Sequence, residues 1–130
     1  MSIHLPAEVF STIRDKVEGL RAVAIVRLDG DVEALETVDP DFDRGVLVEF
    51  AMLVRIALRT CEDAEGGGLS EMSWKLDRSI VLMSRVSSER FLILFGAGSV
   101  ATGLARYTLR RAARRLAASE ERRVRERRSA

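Results

Sequence analysis

The sequence predicts an α+β fold of order α-β-β-α-β-β-β-α, a sandwich with a five-stranded antiparallel sheet between helices. Three observations carry this. Short β-branched or apolar runs recur with hairpin-length turns between them, so consecutive strands pair antiparallel. Three longer stretches instead carry apolar residues at helical spacing. One of these, the stretch from Arg44 to Glu62, is apolar almost all round, which a helix with one wet face is not.

Residues 7–18 place Val9, Phe10, Ile13 and Val17 on one helical face, with Pro6 tolerable in a first turn and Gly19 suited to the end. Leu20 to Leu28, LRAVAIVRL, reads as a central strand, buried on both faces. Asp29-Gly30-Asp31 supplies positive-φ turn chemistry, and Val32 to Val38 returns as the hairpin partner. Asp39-Pro40-Asp41-Phe42-Asp43 breaks the strand and offers an aspartate cap to the next helix.

On that helix, Val46, Leu47, Phe50, Ala51, Leu53, Val54, Ala57, Leu58 and Cys61 fill the half expected to lie on the sheet. A second stripe, Val48, Met52 and Ile56, follows at i, i+4 and i+8, with Gly45 below it and Glu49, Arg55 and Arg59 alongside. Two covers fit this stripe: a second copy of the chain, or the chain's own terminal helix. Burying three such side chains per copy is worth roughly 9–18 kcal/mol across a dimer, against an association cost of about 4–15 kcal/mol.

Gly66-Gly67-Gly68 ends the helical segment. Leu69 to Leu76 then alternates, Ser70, Met72, Trp74 and Leu76 one way and Glu71, Ser73 and Lys75 the other, as a half-wet strand does. Ser79–Val86 and Arg90–Phe95 read as a further hairpin, and Gly96–Ser99 leads into a last helix from about Val100. There Ala101, Leu104, Ala105, Thr108, Leu109, Ala112, Ala113 and Leu116 form an apolar arc, and Arg106, Arg110, Arg111, Arg114 and Arg115 fill the remainder. One domain over residues 1–117 is expected. Residues 118–130, with almost nothing to bury, read as a basic tail of frayed helix or disorder.

Composition narrows function chiefly by exclusion. The single histidine, His4, and the single cysteine, Cys61, assemble neither a transition-metal cluster nor a Ser-His-Asp or Cys-His site. Cys61 sits on the apolar side of its helix and reads as a core thiol. The carboxylates from Asp29 to Asp43 belong to a turn and a cap. Gly96-Ala97-Gly98-Ser99-Val100-Ala101 matches a dinucleotide fingerprint, but the required strand and acidic residue about 20 positions on are missing, so the glycines read as a tight turn. No enzyme active site, cofactor or metal is expected.

The chain is expected to stay in the cytoplasm, since MSIHLPAEVF lacks the basic region and long apolar core of a signal peptide and no apolar run spans a bilayer. The net charge of +1 conceals an acidic body and a basic end: residues 106–130 hold 10 Arg against 3 Glu. That end reads as a solvated helix face or a docking surface for an acidic protein. It lacks the interleaved aromatics of a nucleic-acid binder.

The strand and hairpin AVAIVRLDGDVEAL, the long apolar helix after an acidic loop, and RSIVLMSRVSSERFLILFGAGS feeding a terminal helix resemble the roadblock / dynein light chain family over most of residues 5–116. Longin and profilin-like folds share part of this order. The resemblance implies pairing as homo- or heterodimers through the second helix and the following strand, making one continuous sheet. It would place Gly45, Val48, Glu49, Met52, Arg55, Ile56, Arg59, Met72 and Trp74 at the dimer interface.

It also implies a prokaryotic, non-enzymatic regulator or scaffold of a small Ras-like GTPase, as an activating or localising partner. Alternatives are an adaptor docking a kinase or effector through Arg106, Arg110, Arg111, Arg114 and Arg115, and a profilin-like small-molecule sensor. The basic tail departs from the family pattern, and no arginine finger is assigned.

Overall fold

A computed structural model describes the backbone of residues 4–129 and the side chains from Pro6 to Ser129. The elements follow the expected order: α1 (His4–Lys16), β1 (Leu20–Arg27), β2 (Val32–Thr37), α2 (Gly45–Asp63), β3 (Glu71–Lys75), β4 (Ser79–Arg85), β5 (Arg90–Ala97) and α3 (Thr102–Ser129). The five strands form one sheet in the order β2-β1-β5-β4-β3, with every pairing antiparallel.

The three inner strands are buried on both faces, which divides the core in two. Val23, Ile25, Ile80, Leu82, Leu92 and Leu94 point at α1 and α3. Ala22, Ala24, Val26, Val81, Met83, Phe91, Ile93 and Phe95 point the other way, at Leu47, Ala51 and Val54 of α2. Small residues at Ala22, Ala24 and Ala51 bring α2 down against β1.

Turn chemistry follows the sequence closely. Gly30 has φ +96° in the β1–β2 turn, and Asp29 Oδ1 accepts the Asp31 N–H at 2.9 Å. Asp43 Oδ1 accepts the Gly45 N–H at 2.9 Å, so an aspartate does anchor the start of α2, although Arg44 at the boundary supplies no side-chain cap. Gly96 lies inside β5, where a Cβ would come within 2.6 Å of Val100 Cγ2. At Gly96 the missing side chain is a packing device that admits Val100.

One expectation changes. The composition of residues 118–130 predicts frayed helix or disorder, yet α3 runs unbroken across the boundary to Ser129. Glu120 ion-pairs with Arg90, which also pairs with Glu33, and this ties the helix to the sheet one turn past Leu116. Beyond it, Glu and Arg are good helix formers that need no burial to continue a helix already nucleated.

The end of α2 stores strain. Gly66 N–H bonds to Cys61 O at 3.1 Å and Glu65 N–H to Glu62 O at 3.0 Å, the paired bonds of a Schellman cap. The left-handed residue of that cap is ordinarily glycine, but here it is the exposed Glu65, at φ 58°. Glu65→Gly is expected to raise unfolding free energy by about 0.5–1 kcal/mol, read in urea melts. An unchanged or lowered midpoint would count against the strain.

Candidate interaction surface

α2 turns Leu47, Ala51 and Val54 into the core and leaves a broad apolar strip outside. Val48, Met52 and Ile56, the second stripe, are 46%, 49% and 62% exposed. Leu53, expected on the sheet-facing half, is a correction: it is 44% exposed. By helical phase it sits on the flank that faces β3, too far round to reach the sheet. The terminal helix does not cover this strip, because α3 packs with α1 on the opposite face.

The strip continues towards β3. Phe50 makes edge-to-face contacts with Trp74 and Phe95, with ring centroids 4.9 and 5.3 Å apart. Met72 and Trp74 lie opposite Met83 and Val81 on the α2 face of the sheet and are only half-buried. β3 pairs with β4 alone, so its outer backbone edge is unpaired among the described residues.

The polar residues named with the stripe divide. Arg55 Nη1 donates to Leu28 O at 2.6 Å, which ties that side chain down to the β1–β2 hairpin. Gly45, Glu49 and Arg59 are exposed, and neither Glu49 nor Arg59 has an ion-pair partner among the described residues.

Arg106, Arg110, Arg111, Arg114 and Arg115 of α3 lie apart from this surface, and four of these five have partners within the chain. Arg110 grips Glu71 with two bonds, Nε to Oε2 at 2.6 Å and Nη2 to Oε1 at 3.0 Å, and Arg106 stands 3.7 Å from the same carboxylate. Arg115 donates to Glu8 at 2.9 Å. Arg111 lies over the Tyr107 ring and donates to its hydroxyl at 3.2 Å. Arg114 is exposed. The Glu71–Arg110 pair joins residues 39 apart in sequence, and nothing in local patterning points to it.

Among the described residues, no group of three His, Cys, Asp or Glu side chains is placed to hold a metal, and no helix is long and apolar enough to cross a membrane. Cys61 is partly buried and forms no disulfide. The His4 side chain lies outside those described.

A layered sheet with two helices on one face and one on the other, ending in a free edge strand, is found among solved structures. The roadblock/LC7 domain from Streptomyces avermitilis superposes with a TM-score of 0.75 at 15% identity, covering 84% of this chain and 92% of that one. The fold is that of a roadblock/LC7 domain. This roadblock fold also matches the gliding protein MglB from Thermus thermophilus, with a TM-score of 0.80 at 15% identity over 88% and 87% of the two chains. MglC from Myxococcus xanthus is 26% identical with a TM-score of 0.64, over 88% and 98%. No family sequence model and no curated protein matches the chain.

Within this fold, the Arg110 guanidinium bonded to Glu71 holds that carboxyl below the usual glutamate range, against a smaller opposing effect of burial. A depressed folded-state pKa stabilises the fold above the unfolded group's value, about 4.3, and that contribution is lost as pH falls through the folded value. Thermal melts between pH 5 and pH 3 are therefore expected to fall more steeply for the native chain than for Glu71→Gln. Parallel curves would remove the pair from the acid limb.

Proposed function

We propose that the chain is a non-enzymatic, dimeric regulator or scaffold of a small Ras-like GTPase in the cytoplasm, paired through α2 and β3. The observation that carries this reading is the exposed apolar strip of Val48, Met52, Leu53 and Ile56 on α2, together with the unpaired edge of β3. A second copy, related by a two-fold axis, would set α2 against α2 and extend the sheet through β3. Met72 and Trp74 would then be buried from both sides, and Gly45, Glu49 and Arg59 would line the rim. The roadblock fold, found also in the gliding protein MglB, fits the family resemblance, which implies a small Ras-like GTPase as partner.

Such a protein acts by shape. A surface formed across the dimer would order the switch loops of the GTPase, stimulating hydrolysis or fixing the location of the GTPase without donating a catalytic group. α3 favours a second reading, an adaptor for a kinase or effector, because its exposed arginines continue past the domain core to residue 128.

Light scattering tests the seam. The native chain is expected at twice its 14.5 kDa mass and Met52→Glu at 14.5 kDa, because an unpaired carboxylate would enter an apolar interface. A native monomer, or a mutant that stays dimeric, would refute the seam. For the partner, nucleotide-dependent binding to a Ras-like GTPase encoded beside this chain is expected to survive deletion of residues 117–130. Loss of binding on that deletion favours the adaptor.

A further inference from the structure

The opposite side of the sheet carries a pocket that the proposed dimer does not use. A cavity of about 260 Å³ opens between α1 and α3, walled by Val9, Thr12, Lys16, Tyr107, Thr108, Arg111, Ala112 and Arg115. Its floor is apolar and its rim is cationic.

Thr108 is the unusual member. It is 5% exposed, and its hydroxyl is sealed from water with no hydrogen-bond partner among the described residues. Helical threonines normally settle this by donating one turn back, as Thr12 does to Glu8 O at 3.0 Å and Thr60 to Ile56 O at 2.9 Å. Thr108 makes no such bond. A buried hydroxyl left unpaired is costly; Thr108 lines the groove, and turning its hydroxyl into the groove would let a ligand acceptor remove that cost.

The charge around it is specific in sign and size. Lys16, Arg111 and Arg115 line the rim, and Arg115 is held by Glu8 at 2.9 Å. Lys16 and Arg111 thus remain without an acidic partner among the described residues. Two net positive charges match the roughly −1.5 to −2 carried by a phosphomonoester at neutral pH. Arg111 is already braced on Tyr107, which orders its planar donor fork before any ligand arrives.

We infer that the α1–α3 groove binds a small phosphomonoester. Its phosphate would lie between Lys16 and Arg111 and accept a hydrogen bond from Thr108, and its carbon skeleton would rest on Val9, Ala112 and the Tyr107 ring. The volume suits a compact phosphorylated metabolite or the headgroup of a phosphomonoester lipid. α2 and β3 lie across the sheet, so the groove is independent of the GTPase reading.

Amide NMR on the full chain tests it, with glycerol 3-phosphate as probe, glycerol as the neutral control, and phosphatidylcholine vesicles with or without phosphatidic acid as the lipid arm. Glycerol 3-phosphate is expected to give saturable shifts at Thr12, Lys16, Thr108 and Arg111, and glycerol none. Lys16→Gln and Arg111→Gln should each weaken binding about tenfold, as loss of a charge-assisted bond does. Thr108→Val should weaken it by about threefold while leaving the melting temperature unchanged or higher. Co-sedimentation only with phosphatidic acid vesicles, lost in Arg111→Gln, would assign the site to the lipid source. Shifts spread over all the arginines of α3 without saturation, or binding unaffected by Thr108→Val, would overturn the site.

Discussion

The constraint on which the rest depends is the mismatch between a five-stranded sheet and the helices available to cover it. Five strands about 4.8 Å apart span roughly 19 Å between the outer two, and a helix with its side chains is about 10–12 Å across. β1, β4 and β5 are apolar on both faces, so both faces require cover. α1 and α3 side by side suffice for one. α2 alone covers only about half of the other, and it settles over β1 and β5, where Ala22 and Ala24 admit it. The half-buried Met72 and Trp74, and the apolar outer strip of α2, are consequences of this shortfall.

The order of elements was legible because it rests on local signals. The hairpin turn at Gly30, alternation along β3 and the helical spacing of Val9, Phe10, Ile13 and Val17 each require only neighbouring residues. The exposed stripe of Val48, Met52 and Ile56 was legible for the same reason. Leu53 was not, because its helical phase lies outside the arc of Leu47, Ala51 and Val54 although it was grouped with that half. The run of α3 beyond residue 117 was hidden because charged helix formers leave no apolar period, and its anchor, Arg90 to Glu120, is tertiary. Glu65 was masked by the three glycines after it, which drew the turn one residue too late. Thr108 counted as one more member of an apolar arc, and whether its hydroxyl has a partner depends on a rotamer that sequence does not specify.

The two edges of the sheet are not equivalent, and the difference bears on which one can take another strand. β2 is blunted in the ways edge strands usually are: its register with β1 shifts at Ile25/Val26, and Glu33 and Glu36 are engaged by Arg90, Arg27 and Arg14. A strand arriving there would meet a bulge and a row of charges already satisfied. β3 runs in unbroken register with β4 from Glu71 to Lys75. Its first charge, Glu71, is drawn to the α3 side by Arg110 and Arg106, away from the face that α2 shares with Met72 and Trp74. That salt bridge would contribute little to stability if it were only a surface pair. Its placement follows from the period of two along β3, which turns Glu71 towards Arg110 on the α3 side while Met72 and Trp74 face α2, so that the unpaired edge and the half-buried apolar face of β3 lie together without a carboxylate on that face.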